Sequence, residues 1–296
     1  MIRSFHHSRF SLERLREGDS ATVTVVLPAR EVADTIGPIL ESLRTLQDVI
    51  DQVLVIDAAS RDGTAALAAS LGAEVHQESE LLPEFGPARG KGDAMWRALS
   101  VASGEVIAYL DSDTPGFSAH FAAGLLGPLL CEEGVSFVKG HYRRPFVSPG
   151  GQELPAGGGR VTELTARPLL SAFYPELAAF AQPLAGEIAA RRSLLERLPF
   201  ACGYAVETAM LLRARDELGG TDGMAQVDLD VRLNRHQPLR DLGPMAYAVL
   251  EVILERLREE GRLLDGPTPP LQAADGRLTD VELLERPPYA TVRVGT

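Results

Sequence analysis

The chain has 296 residues, 45% of them hydrophobic and 24% charged, an ordinary balance for one large globular domain with or without an extension. Its formal net charge of -12 argues against a general nucleic-acid binder, which needs a basic surface to neutralise phosphates, yet leaves room for a local basic pocket. Two cysteines, Cys131 and Cys202, are too few for a disulfide framework or a cysteine-built zinc site, and they fit buried thiols in a reducing cytoplasm.

No apolar stretch is long enough to span a bilayer, and the N-terminal residues lack the apolar centre of a signal peptide. Residues 1–20 read as an exposed, partly helical arm. Ala21 to Leu27 is a β-branched apolar run typical of a buried parallel strand, stopped by Pro28. A helix is expected from Ala33 to Leu46, with Ile36, Ile39, Leu40 and Leu43 on one face. Gln52 to Ile56 gives a second strand that ends at Asp57, and the turn Ser60 to Thr64 leads into an alanine-rich helix. Glu74 to His76 is a short third strand, a Gly/Pro-rich loop follows, and a helix is expected over Asp93 to Ala102. Val106 to Leu110 is a fourth strand, delivering Asp111-Ser112-Asp113 at its end.

Alternating strands and helices with short connections predict an α/β fold, a mostly parallel central sheet flanked by helices. Ligands of such sheets bind beyond the carboxyl ends of the strands, where Asp57, Asp111 and Asp113 fall together. Past Gly134 the pattern changes. Val135 to Lys139 reads as a strand, 147–160 as a Gly/Pro-rich loop, and 161–180, 186–197, 204–218 and 244–261 as helices. Residues 225–240 hold a short strand and a polar, basic stretch, and the tail ends in the strand-like ATVRV. This gives an arm (1–20), a nucleotide and metal half (21–133), an acceptor half (134–265) of the same catalytic domain, and a C-terminal tail (266–296).

Two carboxylates one residue apart at a strand end, Asp111 and Asp113, can hold a divalent metal through hard oxygen ligands; a solvated turn is the bland alternative. A metal there would neutralise charge on a diphosphate leaving group. Asp57 is placed to accept hydrogen bonds from a base or ribose, or else to cap a turn. Lys91 between two glycines lets a ligand approach the backbone beside a cation, although the spacing is not that of a Walker loop. The run Gly157-Gly158-Gly159 followed by Arg160, Val161 and Thr162 combines backbone N–H groups, an arginine fork and a hydroxyl, which suits an acceptor anion. Glu207 opens an apolar helix and could bond sugar hydroxyls, or could simply favour the helix dipole. Arg232, Asn234, Arg235 and His236 form a compact polar cluster able to hold a diphosphate and complete a metal shell, or to form a solvated face.

The segments LPAR, VLVIDAASRDGT, GKGDAMWRAL, YLDSD, VKGHYRRP, GGGRVTELTARPLL, QPLAGE, LPFACGYAVET, AQVDLDVR and NRHQPL together resemble the glucosyl-3-phosphoglycerate and mannosyl-3-phosphoglycerate synthases over about residues 20–260. That resemblance implies a retaining hexosyltransferase of the GT-A fold with a helical C-terminal acceptor-binding extension. It implies Mg2+ or Mn2+ as cofactor, a nucleotide sugar and 3-phosphoglycerate as substrates, and a homodimer. By matching positions, Pro28, Glu31, Asp57 and Lys91 would line the donor, and Asp113 would be the main metal ligand with Asp111 beside it. Gly159, Arg160, Val161 and Thr162 would hold the acceptor together with Asn234 and His236. Tyr204 and Glu207 would touch the hexose, and Arg232 the diphosphate; Asp113, Glu207 and Arg232 form the expected catalytic set.

Three departures bear on the donor and the metal. The family often has a glutamate where this chain has Val32, with Glu31 one position earlier. Ala58 stands where the glucosyl enzymes have serine. The metal-binding histidine aligns with Asn234, whereas His236 aligns with an asparagine; His236 is the stronger ligand type and is taken as the third metal ligand. These changes point away from UDP-glucose and toward GDP-mannose. A sugar-phosphate nucleotidyltransferase would need a glycine-rich loop after the first strand, which PAREVADT lacks. A non-catalytic nucleotide-sugar-binding protein is the remaining alternative.

Overall fold

The computed structural model describes residues 2–147, 153–154, 159–232, 238–263, 271–272, 278–279 and 283–292. The first half runs β1 (Arg3–His6), α1 (Leu12–Arg16), β2 (Val23–Ala29), α2 (Ala33–Arg44), β3 (Gln52–Asp57), α3 (Thr64–Ser70), β4 (Glu74–Gln77), α4 (Lys91–Ala98), β5 (Val106–Tyr109) and α5 (His120–Cys131). The second half begins with β6 (Phe137–Arg143), the short pair β7 (Phe146–Val147) and β8 (Glu153–Leu154), α6 (Arg167–Phe173), β9 (Ile188–Arg191), α7 (Arg192–Leu195) and β10 (Phe200–Ala201). It continues with α8 (Val206–Glu217), β11 (Met224–Val231), α9 (Gly243–Glu259), β12 (Leu271–Gln272), β13 (Leu278–Thr279), β14 (Glu285–Arg286) and α10 (Tyr289–Val292).

Eight strands make one sheet in the order β1-β11-β6-β9-β5-β2-β3-β4. All neighbours are parallel except at β9, which runs against both β5 and β6. The central strands are buried on both faces, so β2 and β5 read as unbroken apolar runs. One face of the sheet packs on α2 and α5 through Val25, Leu27, Ile36, Ile39, Leu125 and Leu129. The other packs on α4, α6, α8 and α9 through Trp96, Tyr109, Leu170, Met210 and Ile253. The layered α/β architecture expected from the sequence is therefore present, and three strands of the second half (β6, β9 and β11) belong to the same sheet as the first.

Several local expectations are corrected. Residues 1–20 are not an exposed arm: β1 is an edge strand of the sheet, paired in parallel with β11 from Arg3–Ala225 to His6–Asp228. Pro28 does not stop β2, which runs on to Ala29. Pairing with β5 ends at Val26–Tyr109, so the sheet is one strand narrower at Pro28 and its missing N–H is tolerated. The helix expected over 186–197 is the reversed strand β9 followed by the single turn α7. The strand expected at ATVRV is a helical turn over Tyr289–Val292, within the described residues.

Candidate functional site

The parallel strands all end at one rim of the sheet, and the reversed β9 begins there. Asp57 therefore leaves β3, Asp111 follows β5, Arg232 follows β11, and Gly186-Glu187 enter β9 at the same place. Lys91 opens α4 directly after Gly90, whose φ of 84° a side chain rarely adopts. Glu207 sits in the first turn of α8.

These groups close into one ion-paired cluster. Lys91 Nζ donates to Asp111 Oδ1 at 2.5 Å and to Glu207 Oε1 at 2.9 Å. Arg232 Nη1 reaches Asp111 Oδ2 at 2.8 Å, Glu187 Oε1 at 2.5 Å and the Tyr142 hydroxyl at 2.7 Å. Tyr142 in turn donates to Glu187 Oε2 at 2.8 Å. A Cβ on Gly186 would collide with Lys91 Nζ and both Asp111 oxygens, so any larger residue there would push this ion pair apart. Beneath it, the buried Lys139 donates to Ala185 O at 2.8 Å.

The charges explain the titration shifts. Burial would raise the Asp111 carboxyl, but Lys91 and Arg232 outweigh it and hold it well below the usual carboxylate range. Burial pushes Glu187 up against the pull of Arg232. Burial likewise lowers Lys139 to about 8, although Glu207 draws it back. Lys91 is raised, because Asp111 and Glu207 overcome its desolvation.

Asp113 differs from its neighbours. Its side chain is 74% exposed, and Arg232 Nη2 lies 3.3 Å from Oδ1. Both oxygens of Asp111, by contrast, already accept from cations. The cluster sets four carboxylates (Asp111, Asp113, Glu187 and Glu207) against Lys91, Lys139, Arg232 and Arg144, which donates to the Tyr142 hydroxyl at 2.8 Å. A hard divalent cation on the exposed Asp113 carboxylate fits this donor set, and it would add the positive charge that a diphosphate needs to approach. Asn234, Arg235 and His236 lie outside the described residues.

Asp57 is 1% exposed. Its Oδ2 accepts from Ser60 N and from Gln77 Nε2, each at 3.0 Å, while the buried Oδ1 has no partner. An orphaned buried acceptor is costly unless a ligand donor meets it, as a base N–H would. Glu31, with φ 52°, is tied to the neighbouring loop: its N–H donates to Ser60 Oγ, and its carboxylate accepts from Arg61 N. Pro28 O accepts from the Ser112 hydroxyl, which fastens the β2 end to the aspartate turn. Val32 is 7% exposed, and its N–H is held by Thr64 Oγ1 at 3.0 Å.

Ahead of α6, Gly159 has φ 78°, and Val161 and Thr162 are buried. Thr162–Ala166 form a wide π turn that runs into α6, where Pro168 lacks the N–H to continue a regular ladder. Tyr204, 61% exposed, stands on the turn Gly203–Ala205. The helix α9 packs against both the π turn and the Tyr204 turn, so the two share one platform.

The model of Glycosyl transferase family 2 matches residues 24–115, which carry Asp57, Lys91, Asp111 and Asp113. The glucosyl-3-phosphoglycerate synthase of Petrotoga mobilis (strain DSM 10674 / SJ95) is 39% identical over 98% of this chain and 94% of its own length. The chain belongs to the glucosyl-3-phosphoglycerate synthase family. It is a glycosyltransferase. Two solved structures of the family's fold superpose closely. Mannosyl-3-phosphoglycerate synthase from Rubrobacter xylanophilus has a TM-score of 0.87 and 48% identity, covering 98% of this chain and 96% of that one. Glucosyl-3-phosphoglycerate synthase from Mycobacterium tuberculosis, in complex with Mn2+, UDP-glucose and phosphoglyceric acid, has a TM-score of 0.86 and 38% identity, covering 99% of each chain.

In this family member the fold brings together Lys91, Asp111, Asp113, Glu207 and Arg232, as sequence reasoning expected. It adds Glu187, Tyr142, Gly186 and Lys139, which that reasoning missed. The pair Gly186-Glu187 before a short apolar run was the available signal: a carboxylate next to a glycine at a strand start.

Proposed function

We propose that this chain transfers a hexose from a nucleoside-diphosphate sugar to 3-phosphoglycerate. The convergence of Lys91 and Arg232 on Asp111, beside the open carboxylate of Asp113, carries this reading: it is a charged floor with one ligand-ready edge. The 3-phosphoglycerate-using relatives cover nearly the whole chain and support the acceptor. Asp113, with His236, would hold Mg2+ or Mn2+; the cation, when bound, neutralises the diphosphate leaving group.

The residues of the chain do the rest. Asp57 Oδ1 accepts from the base, and Lys91 and Arg232 exchange carboxylate partners for phosphate oxygens. Gly159, Arg160 and Thr162 hold the acceptor anion, while Tyr204 and Glu207 orient the hexose. The acceptor hydroxyl oxygen bonds to the anomeric carbon as the bond to the diphosphate breaks, and its proton passes to the departing phosphate. Attack on the face that the leaving group vacates retains configuration, and positioning with charge stabilisation supplies the rate. The domain acts as one catalytic unit with a donor half (21–133) and an acceptor half (134–265), in a cytoplasmic homodimer.

GDP-mannose is the favoured donor. Val32 is buried and apolar where family members often carry a glutamate, and the mannosyl enzyme is 48% identical. A matrix of UDP-glucose, GDP-glucose and GDP-mannose against 3-phosphoglycerate, with and without divalent metal, is the test. The expected result is nucleoside diphosphate release that needs both acceptor and metal, largest with GDP-mannose. Donor binding without acceptor-dependent release would overturn transfer. So would pyrophosphate release from nucleoside triphosphate and sugar phosphate.

A further inference from the structure

The outer edge of the sheet carries a second cluster that takes no part in the chemistry above. The edge strand β1 ends at His6, and His7 opens the following turn. Its partner β11 bulges between Asp228 and Val231, leaving Asp230 in the left-handed region with φ 67°. A non-glycine residue there is strained and persists only where its surroundings impose it. The Asp228 carboxylate imposes it here by accepting the Asp230 N–H at 2.9 Å. The bulge turns the Asp230 carboxylate onto both histidines. His7 Nε2 lies 2.7 Å from Oδ2, and His6 Nε2 lies 3.4 Å from Oδ1.

We propose that His6, His7 and Asp230 form a metal site for a borderline transition ion such as Zn2+, separate from the catalytic cation. Among the described residues this is the one place where three such ligand atoms lie within 4.8 Å of one another. Metal–ligand bonds of about 2.0–2.2 Å set tetrahedral ligand atoms roughly 3.3 Å apart, so small ring rotations complete the geometry. Two imidazoles and one carboxylate leave a fourth position for water, and nitrogen donors select zinc-like ions over magnesium. Side-chain exposures of 47% for His6 and 43% for Asp230 give the ion a path from solvent.

The surroundings orient the ligands. His6 Nδ1 accepts the Ser8 N–H at 3.2 Å and lies 2.8 Å from Ser8 Oγ; an ion on Nε2 moves the ring proton to Nδ1, which then donates to Ser8 Oγ in place of the N–H bond. The His7 ring is flanked by those of His6 and His120, with centroids 4.5 and 4.3 Å away. His120 Nε2 is held by Leu229 O at 3.1 Å, and His120 does not join the three grouped ligand residues, so its ring serves as a wall. Arg143 approaches Asp230 at 3.6 Å, but at 69% exposure it can swing away. A bound ion would pin the edge strand to the bulge from which the chain leads to Arg232.

Zinc titration followed by calorimetry, with thermal melts, tests the site in three proteins: wild type, Asp113→Asn, and His6→Gln with His7→Gln. Asp113→Asn is expected to keep a zinc equivalent and a zinc-dependent rise in Tm. The double histidine variant should melt like wild type without metal, weaken that zinc equivalent at least tenfold and lose the rise. Should the double variant disturb β1, Asp230→Asn replaces it with the same expectation. Undiminished zinc affinity in the histidine and Asp230 variants would overturn the proposal. Loss of all zinc binding in Asp113→Asn would also overturn it.

Discussion

Two buried charge clusters flank the start of α4, and they differ in one respect. Lys91 faces the first, with Asp111, Glu187, Glu207 and Arg232. Asp93, two residues on, faces the second, where Arg286 grips it at 2.7 and 2.8 Å and Arg97 lies 3.1 Å away. In the second cluster Asp93 and Arg97 are fully buried and Glu78 is 2% exposed. The arginines also bind the backbone carbonyls of Leu82, Phe85, Gly86 and Pro87, locking the loop that leads to Lys91. The first cluster is open along Asp113 and Lys91, whose side chains are 74% and 30% exposed. Similar residue types thus do different work. A cluster with an accessible edge can trade internal partners for a ligand, and a sealed one can only hold its neighbour in place.

The largest break in this contrast is expected from Asp113→Ala. Transfer should fall about 10³-fold with the melting curve unchanged, because an exposed carboxylate supports chemistry rather than the fold. Next comes Arg286→Met in the sealed cluster. It strands the Asp93 charge and should destabilise the fold by about 3 kcal/mol in urea unfolding. Lys91→Gln should lower transfer about 10²-fold (about 2.7 kcal/mol), and it should cost less stability than Arg286→Met, because Asp111 keeps Arg232 as a partner and the cluster is open to water on one edge.

The smallest effect sharpens the comparison through pH. Burial, reinforced by Asp93, pushes the Glu78 carboxyl up to about 7, and its Oε1 has no hydrogen-bond partner. The native state therefore binds a proton that the unfolded chain releases between about pH 4.5 and 7, so this group makes stability fall as pH rises through that window. Glu78→Gln should stabilise the protein above about pH 7 and change its stability by nearly nothing below about pH 4.5. Equal stabilisation at both pH values, measured by denaturant melts, would assign the effect to packing instead.

The first half was legible because β2, β3 and β5 are nearly continuous apolar runs, and β3 and β5 lead directly into aspartates. Asp57, Asp111 and the Lys91 loop could be placed from that pattern alone. β9 escaped because Ile188-Ala-Ala-Arg191, buried at mid-sheet, has no alternation, and its alanines and the following leucines favour helix. β1 escaped because an edge strand shows alternate residues to water, so RSFH looks like a polar arm. Glu187 was missed for the same reason as β9: once the segment is read as helix, nothing marks its first carboxylate. The exchange of Asn234 and His236 remains a sequence observation, because both lie outside the described residues.

The reversed strand has one more consequence. Side chains alternate between faces along a strand, so an insertion of a single residue between Gly186 and Ile188 would turn the carboxylate now at 187 toward the opposite layer of helices. Arg232 would then lose an anionic brace and Tyr142 an acceptor, although neither belongs to the altered segment. Length in this short connection is thus constrained as well as its composition.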